Sequence, residues 1–273
     1  MRNYSYKKIL PNLLLIIRNK FRRVVHADHY LLCPHNLRHD DLYIVEFPKS
    51  GITWLSTIIT NINLLKTGED QVPTFFNLNQ YIPDIHVSKD IPINPIWEYP
   101  KYRFIKSHDK YNPNYKHVIY LIRNPYKVMN SYYSFAGNYL NFKGTFEEFV
   151  KSSVYGIDAW CNHVESWLDS SNTGVSMCFI RYEDLLDNGV QEISELYENL
   201  GLKVHKEIIE KGFHLSKLKN MSKSENLFAL KNPIYESNFI NKSKSNHMTD
   251  DLKMYMENRL SNNEIYQRYY NND

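Results

Sequence analysis

Apolar positions along the chain fall into short unbroken runs that alternate with longer stretches of helical spacing. Leu42 to Phe47, Leu-Tyr-Ile-Val-Glu-Phe, is bounded by Asp40-Asp41 and Pro48, and its length and content predict a buried strand. Pro48-Lys49-Ser50-Gly51 follows, after which Ile52, Trp54, Leu55, Ile58, Ile59, Ile62 and Leu65 recur at helical spacing, so the segment reads strand, tight loop, helix. Tyr102 to Lys106 and His117 to Ile122 are further strand candidates. The second leads through Arg123-Asn124-Pro125 into a helix starting near Tyr126, with proline where a first helical turn tolerates it. Thr145 and Glu148 form a capping-box pattern, and residues 157 to 168 carry Trp160, Val164, Trp167 and Leu168 on one helical side. Val175 to Tyr182 is a fourth strand candidate, and Val190 to Leu200, His205 to Lys211 and Asp250 to Leu260 read as helices before a tail rich in Asn and Tyr. Strands alternating with helices predict an α/β fold with a central, mostly parallel sheet flanked by helices.

Residues 66 to 101 are rich in proline and poor in periodicity, which predicts an irregular excursion over the sheet on a substrate-facing surface. With no internal repeat or long linker, residues 41 to 273 read as one domain behind an N-terminal extension, 1 to 40. The extension's apolar stretch, Ile9 to Ile17, is broken by Pro11 and Asn12, whereas a membrane span needs about 20 apolar residues. Arg18, Lys20, Arg22 and Arg23 follow with no small-residue cleavage site, which argues against a secretory signal. Residues 9 to 23 are then a basic amphipathic segment that packs on the outside of the domain or lies on an anionic membrane surface.

Composition narrows the class further. Lys and Arg number 33 against 30 Asp and Glu, a net charge of +3 that excludes an acidic tail protein or a nucleic-acid wrapper. Aromatic residues at 14% exclude a disordered chain. The three cysteines, Cys33, Cys161 and Cys178, are too few and too scattered for a disulfide framework, which predicts a reducing compartment, the cytoplasm. Only 9 Gly stand beside 30 Asn, so turns and caps must often use Asn.

The loop Pro48-Lys49-Ser50-Gly51-Ile52-Thr53-Trp54 has what a phosphate cradle needs: a Gly for close backbone approach, amides at a helix N-terminus, a Lys and two hydroxyls. It is not GxxxxGK[ST], because Lys49 precedes the glycine. At the end of the next strand stand Lys106 and His108, two residues apart, which strand alternation would direct to one side as a cation and a proton acceptor. Arg123 ends another strand, with Ser131 about two helical turns beyond it, a pair able to grip a second anionic group.

With these elements in this order, the sequence from residue 42 to about 260 resembles the sulfotransferases that use 3′-phosphoadenosine 5′-phosphosulfate (PAPS), both the cytosolic branch and its bacterial relatives. The family's phosphosulfate loop appears as Phe47 to Trp54, its Lys-x-His element as Lys106 and His108, its 3′-phosphate segment as Arg123 and Ser131, and its adenine-side Tyr-Glu-Asp-Leu as Tyr182 to Leu185. The resemblance implies a three-layer P-loop-like fold and sulfonate transfer from PAPS to an acceptor hydroxyl without a metal. In that reading His108 is the base, Lys49 and Lys106 offset charge, loop residues Ser50, Gly51, Ile52, Thr53 and Trp54 hold the 5′ side, and Trp54 lies beside the adenine or in the core. Two departures stand out: Ile52 replaces the loop's first Thr, and Asn241 to His247 lacks the family's Arg and Gly-Asp-Trp, leaving Lys242 and Lys244 to supply 3′-phosphate charge.

A carbohydrate or glycolipid hydroxyl is the favoured acceptor over a small phenol or alcohol, with Tyr81, Phe135 and Tyr139 able either to stack on a ring or to sit in the core; oligomeric state is left open, and no nucleic acid is implied. His26, His29, Cys33, His35 and His39 form a rival zinc candidate, weakened by the single Cys and the absence of CxxC. A nucleotide kinase would need a Walker Lys and a Mg²⁺-binding Asp that the loop does not supply. A relative that binds nucleotide or glycan without catalysis is the remaining alternative.

Overall fold

The computed structural model describes residues 36–68, 73, 77–86, 102–169, 174–231 and 248–270. The basic segment 9–23, His26, His29, Cys33 and His35, most of the proline-rich stretch, and Lys242 with its neighbours 241–247 lie outside the described residues.

Four strands, β1 (Asp41–Glu46), β2 (Arg103–Ser107), β3 (His117–Ile122) and β4 (Ser176–Arg181), pair in the order β2-β1-β3-β4 with every neighbour parallel. Each predicted strand is present within one or two residues of its expected bounds. The helices are α1 (Ile52–Thr67), α2 (Leu78–Tyr81), α3 (Pro125–Tyr139), α4 (Phe146–Val150), α5 (Ile157–Asp169), α6 (Tyr182–Asn199), α7 (Lys206–Leu215), α8 (Leu218–Lys231), α9 (Asp250–Leu260) and α10 (Glu264–Tyr270).

Because parallel strands are covered on both faces, β1 and β3 are apolar along most of their length and the pleat sorts those residues into two cores. Tyr43 and Val45 of β1 and Val118, Tyr120 and Ile122 of β3 face a core closed by α3, α5, α9 and α10, with Trp160 and Trp167 fully buried in it. Leu42, Ile44, Ile119 and Leu121 face the other, closed by α1, α6 and α7. The result is the three-layer arrangement anticipated from the alternation.

Local signals explain most helix ends. Asn124 caps α3 by accepting the Tyr126 N–H at 3.0 Å with Pro125 as first helical residue, and Thr145 and Glu148 make the reciprocal capping box of α4. Four helical features depart from expectation, the first being the short α2 inside the stretch expected to be irregular. α6 starts at Tyr182, directly after β4, and bends at Asn188, whose φ of −132° is not helical, so the expected start at Val190 marks the far side of the kink. α8 was not foreseen because its sequence is mostly polar, and it docks through buried Met221 and Glu225. α10 lies in the Asn- and Tyr-rich tail, where Asn263 accepts the Tyr266 N–H at 2.8 Å and Ile265 and Tyr270 bury against the first core.

Where β1 and β2 begin, buried Asp41 and Arg103 lie opposite one another in the register and form a two-pronged ion pair, Arg103 Nε to Asp41 Oδ1 and Nη2 to Oδ2 both at 2.7 Å. Removing one partner of a buried pair strands the other charge. Asp41→Ala should therefore lose about 3–5 kcal/mol of unfolding free energy in a urea titration, while an exposed carboxylate such as Glu147 should be dispensable.

Candidate active site

The strand order reverses around β1: the chain leaves it toward β2 on one side and later returns to β3 on the other, and ligand crevices in open α/β sheets form at the carboxyl ends of strands where such a reversal occurs. Here the loop after β1 meets the ends of β2, β3 and β4. In the loop, Lys49 has a φ of +77° and Gly51 a φ of +118°. Glycine accepts that region readily, whereas lysine does so at a cost of about 1–3 kcal/mol. The strain is held from two sides. The Lys49 N–H donates to Glu46 Oε1 at 3.2 Å, and the Lys49 carbonyl accepts from Arg123 Nη1 at 3.1 Å. Glu46 Oε2 also accepts the Ile52 N–H at 2.7 Å, at the start of α1. Ser50 turns its hydroxyl back to the Phe47 carbonyl at 2.8 Å, so it braces the loop.

The Lys49 ammonium lies 4.7 Å from the Phe135 ring centroid. Its pKa is lowered to about 8, chiefly by desolvation, with Arg123 adding to the effect and Glu46 and Glu225 opposing it. Arg123 spreads its guanidinium over the Tyr182 ring at 4.2 Å, and its Nε is buried without a hydrogen-bond partner among the described residues. Tyr182 in turn lies so close to Gly51 that a Cβ there would stand 2.5 Å from the tyrosine ring. Trp54 is buried in the second core, edge-on to Tyr182 at 5.4 Å, with its indole N–H donating to the Ser216 carbonyl at 2.8 Å. Ser131 is half-buried on α3, and no hydrogen bond joins it to Arg123.

β2 ends at Ser107, so Lys106 and His108 are held by different partners. Lys106 is mostly buried and donates to Asn79 Oδ1. His108 turns Nδ1 toward the Glu46 backbone carbonyl at 3.3 Å, with Glu46 Oε1 at 3.9 Å. That contact assigns the proton to Nδ1 and makes Nε2 the nitrogen able to accept one. Desolvation lowers the His108 pKa to about 4, so the ring is neutral at pH 7. His163 fixes the segment, its Nε2 meeting the His108 carbonyl at 3.2 Å and its Nδ1 the Tyr120 hydroxyl at 2.8 Å; burial lowers its pKa to about 3. The Trp167 indole N–H donates to the Asp109 carbonyl at 3.0 Å, and the Tyr115 hydroxyl donates to Asp109 Oδ2 at 2.6 Å.

The structure thus gathers Lys49, Ser50, Gly51, Ile52, Thr53, Lys106, His108, Arg123 and Tyr182 at one edge of the sheet. Sequence reasoning missed Glu46, which lies between loop and histidine, and His163 and Asp109 behind the histidine. Glu46 carried a signal: it is the one charged residue in the otherwise apolar run 42 to 47. Among the described residues, no cluster of three His, Cys, Asp or Glu has a metal-holding arrangement.

A sulfotransferase domain family model matches residues 39–271, and the chain belongs to that family. Among curated proteins, sulfotransferase 1E1 of Bos taurus is 33% identical over 193 residues, covering 64% of this chain and 63% of that protein. Sulfotransferase 4A1 of Homo sapiens is 30% identical over 189 residues, with 64% of each chain covered. The matched region therefore spans a little under two thirds of these relatives' length. Among solved structures, mouse sulfotransferase SULT7A1 complexed with PAP superimposes with a TM-score of 0.61 at 22% identity, over 88% of this chain and 89% of that one. A retinol dehydratase in complex with androsterone and PAP gives a TM-score of 0.62 at 17% identity, over 90% and 85%. These likenesses agree with the α/β fold.

Two measurements follow from the geometry. Lys49→Gly should unfold at higher urea than Lys49→Ala, by about 1 kcal/mol, because glycine removes the left-handed strain that alanine keeps. The depressed values of His108 and His163 mean that the unfolded chain takes up protons first as the pH falls, so their contribution to stability is present above pH 6.5 and is lost as the pH drops toward 4. The urea midpoint should fall over that window, and His163→Gln, which keeps one donor and one acceptor, should flatten the decline.

Proposed function

We propose that this chain transfers a sulfonate group from PAPS to an acceptor hydroxyl. The observation that carries the reading is the Arg123 Nε, buried with no hydrogen-bond partner among the described residues, on a guanidinium stacked over Tyr182 that also holds the strained Lys49 loop, with a neutral histidine held at the Glu46 carbonyl. This is a cradle built for anions with a proton acceptor within it. PAPS supplies a sulfonate on a phosphate leaving group. The Gly51 and Thr53 N–H groups, which have no acceptor among the described residues, are the loop amides suited to the 5′-phosphate. Arg123, with Ser131 and, by resemblance, Lys242, takes the 3′-phosphate, and Tyr182 presents its ring to the adenine.

His108 Nε2 takes the acceptor proton, and the positive charge that it gains is stabilised by the Glu46 backbone carbonyl at its other nitrogen. Lys49 and Lys106 offset charge that builds on the transferring group and on the departing oxygen. A carbohydrate or glycolipid hydroxyl is the acceptor we favour. Tyr81 and Phe135 lie in the two cores, which leaves half-buried Tyr139, with its ring 4.9 Å from Phe135, as the aromatic best exposed to a sugar or phenol ring. The thiols of Cys161 and Cys178, both outside any disulfide, support a reducing compartment such as the cytoplasm. No helix among the described residues is long and apolar enough to cross a membrane.

Labelled PAPS with a panel of sugars, glycolipids, phenols and steroids tests the proposal. His108→Ala should lower kcat by about 10²–10⁴-fold with little change in PAP affinity, and Arg123→Ala should weaken PAP binding by about 10- to 100-fold. PAP binding without transfer to any acceptor would favour the binding-only alternative, and absence of PAP binding would sink both.

A further inference from the structure

The loop already contains a carboxyl group where an anion would bind. Glu46 is 2% exposed and its two carboxyl oxygens accept the Lys49 and Ile52 N–H groups, so it occupies the helix end at which the sulfotransferase reading puts a phosphosulfate. Every element packed on it brings a titratable or charged group. Lys49 comes from the loop, Lys106 and His108 from β2 and its end, Tyr120 and Arg123 from β3 and its end, and Tyr182 from α6; Glu225 of α8 faces Lys49. A cofactor that brings further negative charge into this enclosure repels an ionised Glu46, because unit charges a few ångströms apart in a poorly solvated site interact strongly.

We propose that Glu46 is a titratable carboxyl seated in the phosphate loop, and that the loop admits the phosphosulfate end of PAPS when this carboxyl carries a proton. The proposal rests on the sulfotransferase reading above. The proton comes from solvent and adds to the carboxylate, so binding takes up as much as one proton per nucleotide. Neutral Glu46 keeps its carbonyl oxygen as acceptor for one loop amide and frees the other. Burial already raises its pKa to about 8, against the pull of the Ile52 N–H, Lys49 and Arg123, so the two forms interconvert within an accessible range. A nearby phosphate raises that value again. Wild-type affinity should therefore be nearly constant below pH 8 and fall about tenfold per pH unit above it.

The test is calorimetric titration with PAP at pH 7 and pH 9, in pairs of buffers that differ in ionisation heat, on wild type and Glu46→Gln. At pH 9 the wild type should take up close to one proton more than the variant and bind about tenfold more weakly, while the two agree within about twofold at pH 7. Comparison with Glu46→Gln separates this proton from any that Lys49 gains in both proteins. Infrared difference spectra at pH 9 should show a protonated-carboxyl stretch appearing when PAP is added to the wild type. Equal proton counts in the two proteins, or PAP binding with no such band, would overturn the proposal and leave the sulfotransferase reading standing. If Glu46→Gln does not fold, the wild-type band alone decides. Absence of PAP binding at both pH values would overturn the reading and the proposal together.

Discussion

A carboxyl group at the buried end of the central strand holds the site together. Glu46 ties the strained Lys49 backbone to β1, ties the first turn of α1 to the same point, and sets the side of His108 that carries the proton. Arg123 completes the clamp from β3 by holding the Lys49 carbonyl. Together with the Ser50 bonds to the Phe47 carbonyl, these contacts keep a lysine in left-handed backbone geometry between two apolar cores. The loop is therefore a property of two adjacent strands and cannot be understood from its own seven residues.

The histidine is fixed by the same economy. Its main chain is held by His163, which is oriented by Tyr120, and Asp109 beside it is held through main chain and side chain by Trp167 and Tyr115. These supports sit in the first core, while Glu46 and Lys106 extend from the opposite face of the sheet. A group that must keep one orientation while its charge changes is thus braced from both layers of the fold.

Much of this was legible in the chain because the signals were local. Apolar runs located all four strands, and Asn124-Pro125 and Thr145 with Glu148 marked helix starts through their own hydrogen bonds. The loop, Lys106, His108 and Arg123 could be assembled because strand ends in a parallel sheet share one edge, while Tyr182 was reached only through the family resemblance. What escaped depended on distant partners. Lys106 and His108 both lie near buried Asp84, yet β2 stops between them and their hydrogen bonds go to different partners, Asn79 and the Glu46 carbonyl. α8 has too few apolar residues to announce itself and exists by docking. Glu46 looked like an interruption in a strand, since its worth comes from amides three and six residues ahead and a histidine from another strand.

The strand that carries Glu46 is also the one whose pairing is completed late. β1 lies between β2 and β3, and roughly sixty to seventy-five residues of chain separate it from each. During synthesis the ribosome must release all of β3 before both edges of β1 can be filled, and until then an apolar strand stands with an open ladder. Contacts of such long sequence separation form slowly. The central position that makes Glu46 so well enclosed in the finished protein is therefore what exposes the nascent chain, for an interval set by translation speed, to pairing with other chains.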